Sequence, residues 1–266
     1  MGRQGTRRKS MDSQSRIREE FARQAESLSV SPAFTDAEVL EKIRAATGPT
    51  KTMRILDLGC GPGIVSAALA PHAKEVVGFD LTPEMLEKAR QRCKEARLPN
   101  VRFELGGAEQ LPFADRSFDA VVTRLTLHHF PDPRLVMGEM VRVTRSGGKV
   151  IVADVVSSEN ADEAALHNAL EILRDPSHLQ MLSASGLLGL ITAAGLRVAA
   201  TSTWEMQRDF EEWIRITNAP ERAKPLFTVM LTLAKAGLHA GIDLRFDGKA
   251  VLFKHRWLLV TAQKDQ

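Results

Sequence analysis

The chain contains no tyrosine and only two cysteines among its 266 residues. Acid–base work therefore cannot rest on a phenol. Cys60 and Cys93 stand at neither a metal-ligand spacing nor a disulfide-framework spacing, which fits a reducing, cytoplasmic setting. Aromatic residues make up 5% of the chain, and no apolar run approaches the roughly 18 residues that read as a bilayer span. The basic N-terminus lacks the apolar core of a secretory signal. Charge is also scarce where it would matter for nucleic acid. The net +3 traces to Arg3, Arg7, Arg8 and Lys9, so the remainder carries 36 − 4 = 32 basic against 33 acidic side chains. Residues 1–12 read as a solvated, disordered basic tail, and no nucleic-acid partner is expected.

What is present is organised around Ile55–Gly63, ILDLGCGPG. A short apolar run ends in Asp57 and then in glycines at every second position. The pattern reads as a buried strand turning sharply into a helix, with Gly59, Gly61 and Gly63 opening the backbone and the helix N-terminus offering amide groups to an anion. The residue three places after Gly61 is Ile64, so the turn is not the dinucleotide fingerprint G-x-G-x-x-G. A second strand finishes in Gly78-Phe79-Asp80, delivering a carboxylate that can accept from a ribose diol at the edge of the same crevice.

Before this core, Ile17, Phe21, Ala25 and Leu28 form an amphipathic helical stripe within residues 13–29. Pro32 interrupts it, and a second helix capped near Thr35 or Asp36 runs to Gly48-Pro49. Residues 13–49 thus form a helical lid on the domain of residues 50–266. Strands are expected near 53–58, 75–80, 101–105, 118–123 and 148–155, with helices near 63–70, 83–97 and 132–144. Thr82 should cap the second of these helices, and Cys93 belongs to its buried face. The alternation argues for an α/β fold with a mostly parallel sheet and helices on both faces. Beyond Val156, helices near 161–174 and 183–194 and between Asp209 and Gly237 suggest cap insertions within 157–240. Strands near 196–204, 243–247 and 250–262 complete the sheet, the last pair joined at Asp247-Gly248 as a tight hairpin.

Five segments fall in order at strand ends: ILDLGCGPG, VVGFDLTPEML, GGAEQLPF, FDAVVTRLTLHHFPDP and RVTRSGGKVIVAD. Together they resemble class I S-adenosylmethionine-dependent methyltransferases, most closely the branch of the ubiquinone and menaquinone biosynthesis C-methyltransferases and their small-molecule relatives. The resemblance covers about residues 50–155. It implies a Rossmann-like sheet of seven strands, the last antiparallel, and S-adenosyl-L-methionine as cofactor. By the same resemblance Gly59, Cys60 and Gly61 hold the methionine part through their backbone, with Asp57 near its amino group. Asp80 takes the ribose hydroxyls, Leu81 and Met85 pack on adenine, and Ala108 reads its edge. Arg124 approaches the amino-acid end through its main chain. Gly107 stands where the family usually has an acid that accepts from the adenine amino group, and Glu109 is a substitute.

The reaction expected is methyl transfer to carbon or oxygen of a small, partly hydrophobic acceptor; a cyclase-like or regulatory cofactor-binding protein of the same fold is the alternative. His128 and His129, directly after the fourth strand, are the first candidates for a general base, followed by Asp154. His178 ranks below His128, and His167 and Glu171, four apart on a helix, read as a surface pair. Phe21, Phe34, Trp204, Phe210, Trp213, Phe227 and Met230 could line an acceptor pocket, although most read as core. No metal-ligand spacing is present, so no metal is expected. The fourth strand ends in Thr123-Arg124-Leu125 rather than the Asn/Asp-Pro-Pro-aromatic signature, and no Pro-Cys pair exists, so base methylation finds no support. A homodimer is compatible with the sequence.

Overall fold

The computed structural model describes residues 2–265, with side chains from Gln14 onward. The tail expected over residues 1–12 lies outside the residues whose side chains are described. Three helices come first: α1 (Gly2–Val30), α2 (Pro32–Thr35) and α3 (Ala37–Thr47). Pro32 starts α2, where its missing N–H costs nothing. Asp36 caps α3 by accepting from the amides of Glu38 and Val39 at 2.9 and 3.0 Å, and Gly48 ends it in the left-handed region at φ 58°.

The alternating core follows as β1 (Arg54–Leu58), α4 (Ile64–Leu69), β2 (Glu75–Asp80), α5 (Pro83–Glu95), β3 (Val101–Leu105), β4 (Phe118–Arg124), α6 (Pro133–Val143) and β5 (Thr144–Val155). Then come α7 (Ala161–Arg174), α8 (Ala184–Ala193), β6 (Leu196–Asp209), α9 (Phe210–Arg215), α10 (Pro220–Lys235), β7 (Arg245–Phe246) and β8 (Val251–Lys264). The strand order is β3-β2-β1-β4-β5-β8-β6. Pairing is parallel from β3 through β5, whereas β8 runs antiparallel to both β5 and β6. The sheet holds eight strands rather than seven, because the two-residue β7 pairs with the start of β8.

Alternation along the strands sends side chains to opposite faces. Leu56, Leu58, Val77, Val121, Val150 and Val152 pack against Met137 and Met140 of α6 and Ile191 of α8. Ile55, Val76, Val122 and Ile151 meet Val39 and Ile43 of α3 and Leu69 of α4. A third cluster joins Leu170 of α7, Phe210 and Trp213 of α9 and Met230 of α10 to Phe253 of β8. Cys93 is buried, as its helical position implied.

Two local expectations are corrected. Thr82 occupies the cap position of α5 but its hydroxyl makes no capping bond; the Asp80 carboxylate accepts from its amide instead, at 2.9 Å. The connection at Asp247-Gly248 is not a two-residue hairpin, since Phe246 pairs with Val251. Four residues intervene, held by the Asp247 carboxylate accepting from the amides of Lys249 and Ala250 at 2.9 and 2.8 Å.

Candidate functional site

The crevice lies beyond the carboxyl ends of β1, β2, β3 and β4, where the strand order reverses between β1 and β4. Its first cavity has about 950 Å³ of empty space, counting the part open to solvent. Asp57, Gly59, Cys60, Gly61, Asp80, Leu81, Met85, Gly107, Ala108 and Arg124 all line it, with Gln14, Ile17, Phe21, Leu28 and Phe34 of the N-terminal helices across from them.

The glycine turn is built differently from an open anion cradle. The amides of Gly59 and Cys60 both donate to the Phe79 carbonyl, at 2.8 and 3.1 Å. The Gly61 amide donates to Asp80 at 2.8 Å. At the start of α4, the Asp57 carboxylate takes the Ser66 hydroxyl at 2.6 Å and its amide. The anion at this helix N-terminus is therefore the protein's own. The carbonyls of Cys60, Gly61, Pro62 and Gly63 already accept from Gly63, Cys60, Arg92 and Ala67, so the Gly59 carbonyl is the turn's acceptor, among the described residues, for a cationic ammonium group. Burial pushes Asp57 up to about 6, with hydrogen bonds from Ser66 acting against it.

Gly63 has φ 74°, and a Cβ there would meet the Ala89 side chain at 2.8 Å and its backbone at 3.0 Å. Gly63→Ala is accordingly expected to destabilise the fold by about 2–5 kcal/mol, from left-handed strain plus overpacking. Urea unfolding measures this, and an unchanged midpoint would contradict the close α4–α5 approach.

Position 107 shows how the missing acid is accommodated. A Cβ on Gly107 would lie 3.0 Å from Gln14 Nε2 and 3.2 Å from Glu109 Oε2. Gln14 donates to Glu109 at 3.1 Å, so the carboxylate reaches the space an acid at 107 would enter. Arg124 was expected to approach through its main chain, and its side chain is occupied elsewhere. Its side chain folds back under α2, donating to the carbonyls of Phe34 and Ala33 at 2.8 and 3.2 Å between the rings of Phe34 and Trp257. Burial lowers it to about 10, with Asp57 opposing the shift.

A second cavity, with about 690 Å³ of empty space, shares Phe21, Leu28, Phe34, Leu125 and His129 with the first. His128 and His178 line it as well. His128 Nδ1 stands 2.8 Å from Asp154 Oδ1, which also accepts from the Val155 amide, while Asp154 Oδ2 accepts from the Leu127 amide. Asp154 is buried behind His128 and lines neither of these two cavities. Burial opposes charge on His128, but the Asp154 carboxylate outweighs it and raises the imidazole above its ordinary value. His129 donates from Nδ1 to the Ser177 carbonyl at 3.0 Å, and its ring meets Phe21 edge-on at 4.9 Å.

Comparison with known proteins gives this geometry a family. The methyltransferase domain model matches residues 49–217. The chain belongs to the methyltransferases. It is 32% identical over 209 residues to the uncharacterized methyltransferase YcgJ of Bacillus subtilis, covering 78% of this chain and 83% of that one. The YcgJ crystal structure superposes with a TM-score of 0.80 at 29% identity, covering 86% and 99% of the two chains. The uncharacterized protein YafE of Escherichia coli is 30% identical over 206 residues, covering 77% and 98%. The class I fold and the S-adenosylmethionine-dependent character of the resemblance stand with these matches.

In this methyltransferase, the residues gathered around the second cavity are more polar than the sequence suggested. His167 and Glu171 are not a surface pair: both are buried, on the inward face of α7. His255 of β8, Arg174 of α7 and Arg208 of β6 join them. Phe21, Phe34 and Trp213 line the cavity, Trp204 stacks on Trp257, and Phe210 and Met230 are core. Spacing could have flagged α7, where His167, Glu171 and Arg174 repeat at helical intervals on one face. Nothing local marks His255 or Arg208, which arrive through strand pairing.

Burial holds His129 down to about 4 and His178 down to about 2, with the neighbouring His128 charge adding to both shifts. The unfolded chain binds protons near pH 6.5 that these folded imidazoles refuse. Stability is therefore full above pH 6.5 and falls as pH drops toward the folded values. Each could cost about 2 kcal/mol at pH 5, partly offset by the raised His128 and Asp57. The melting temperature is expected to fall by several degrees between pH 7 and pH 5, and His178→Asn should flatten that fall.

Proposed function

We propose that the first cavity binds S-adenosylmethionine and the second a small acceptor, with His128 as general base and Asp154 positioning it. The observation carrying this reading is that every cofactor residue implied by the sequence lines one cavity, which shares a wall with a second cavity containing His128. The residues fit the cofactor. Asp80 stands at the β2 end with lone pairs beyond those given to Gly61 and Thr82, suiting a diol. Met85, Leu81 and Ala108 supply the apolar walls for adenine, and the Gly59 carbonyl with Asp57 suits the ammonium group.

The cofactor supplies an activated methyl group. The protein aligns the acceptor, excludes water and removes a proton when the acceptor is a hydroxyl or an acidic C–H. With Nδ1 donating to Asp154, His128 keeps the Nε2 lone pair for that proton. His129, lowered to about 4, stays neutral and serves as a hydrogen-bond acceptor rather than a charge. The acceptor is amphipathic: its apolar part faces Trp213, Trp257, Met181 and Val155, and its reactive oxygen or carbon faces His128.

Native mass spectrometry of freshly purified protein tests the reading, followed by an S-adenosylhomocysteine release assay across phenols, polyketide-like hydroxyls and enolisable carbonyls. A retained nucleoside with turnover on one class supports it. Tight S-adenosylmethionine binding with no product from any class would favour the cyclase-like or regulatory alternative.

A further inference from the structure

Behind the second cavity, α7 and β8 bring together three side chains of metal-ligating type. His167 and Glu171 lie one turn apart on α7, and His255 enters from β8. One carboxylate oxygen, Glu171 Oε1, faces both imidazoles, 3.1 Å from His255 Nε2 and 3.8 Å from His167 Nε2. All three residues are at most 5% exposed. Within this buried group, both ring nitrogens of His167 have no hydrogen-bond partner, whereas His255 Nε2 has the Glu171 carboxylate beside it. A buried imidazole with both nitrogens unpaired carries a desolvation cost that a packed core normally avoids.

We propose that His167, Glu171 and His255 bind a divalent first-row transition ion, with an open coordination face toward the acceptor cavity. Two imidazoles and one carboxylate form the mixed donor set that such ions take, with positions left for external oxygen ligands. The three ligand atoms lie within 4.8 Å of one another. Bonds of about 2.1 Å in a tetrahedral sphere set neighbouring ligands roughly 3.4 Å apart, so the ion draws the group slightly inward.

The surroundings already orient the carboxylate. Arg174 donates to Glu171 Oε2 at 3.0 Å, leaving Oε1 turned to the imidazoles. Glu171 and His255 line the second cavity while His167 does not, so the ion's free side faces the acceptor. Bound there, it would hold an acceptor oxygen in the cavity that contains His128. Arg208 Nη1 lies 3.4 Å from His255 Nδ1, while Arg208 Nε and Nη2 donate to Glu212. A proton-sharing network of Arg208, His255 and Glu171 is therefore the competing arrangement, and it leaves His167 without any partner.

The test uses the full chain without an affinity tag, stripped with a chelator and titrated with Co²⁺ and then Zn²⁺ by calorimetry and visible absorption. The expected result is one equivalent of Co²⁺ with a visible ligand-field band that Zn²⁺ abolishes. Glu171→Gln and His167→Ala should each weaken binding by more than about 100-fold, beyond the range seen when outer-sphere partners are lost. His72→Ala, on the surface near the opposite end of the sheet, should bind as the wild type does. S-adenosylmethionine affinity of Glu171→Gln, measured alongside, separates this inference from the cofactor assignment and reports a folded site. Absence of the equivalent or of the band in the wild type overturns the proposal. So does uptake that the near-isosteric Glu171→Gln leaves unchanged.

Discussion

Asp80→Ala is expected to weaken S-adenosylmethionine binding by at least about 100-fold, while Glu109→Ala weakens it by less than about tenfold. The difference follows from charge and burial. In the proposed cofactor site the Asp80 carboxylate is the acceptor at the β2 end for a ribose diol, and each hydrogen bond to an ionised acceptor contributes roughly 1.5–3 kcal/mol. The same carboxylate holds the Gly61 amide at 2.8 Å and the Thr82 amide at 2.9 Å, so alanine also releases the glycine turn. Glu109 is half-buried, and among the described residues its side-chain partner is the neutral Gln14 amide at 3.1 Å. Asp80→Asn separates the two effects at Asp80, because the amide keeps the shape but halves the acceptor capacity. Calorimetry against wild type gives the answer, and equal affinities for wild type and Asp80→Ala would remove the ribose assignment.

The central α/β alternation was legible because each buried parallel strand is a short apolar run with its own turn signal, and because five segments fell in order at strand ends. The residues expected around the cofactor line one cavity for the same reason: strand ends in this topology converge on one crevice. What escaped the sequence depended on partners remote along the chain. Glycines at 59, 61 and 63 announced an open backbone, yet the amides of Gly59 and Gly61 are taken by Phe79 and Asp80 once β1 and β2 pair, and Gly63 donates to the Cys60 carbonyl, so the apparent anion cradle is closed by the protein's own bonds. Arg124 was placed correctly at the end of β4, but its side chain is directed by the carbonyls of α2, which no local rule supplies. The polar face of α7 looked solvated because the pattern of a helix cannot reveal that β8 and α9 cover it. Polar residues on such a face read as surface unless the covering elements are known.

The second large effect concerns proton transfer. His128→Ala is expected to lower turnover by about 10²–10⁴-fold, the usual range for a positioned acid or base, with S-adenosylmethionine affinity unchanged. The separation is expected because His128 lines the second cavity and not the first. Asp154→Asn provides a finer discrimination. Wild-type Asp154 accepts Nδ1–H and raises the imidazole, so turnover should fail as pH drops through that raised value. Asparagine removes the charge, moves the acid limb to lower pH, and lets an amide donor select the tautomer with the proton on Nε2. Turnover should then fall at every pH even though the limb shifts toward acid, a combination that loss of packing alone does not produce. The measurement is a pH profile of product release, in wild type and both variants, with whichever acceptor the S-adenosylhomocysteine release assay finds. Unchanged turnover in His128→Ala would transfer the base to another group or show that the acceptor loses no proton; a limb that does not move in Asp154→Asn would mean that Asp154 only packs.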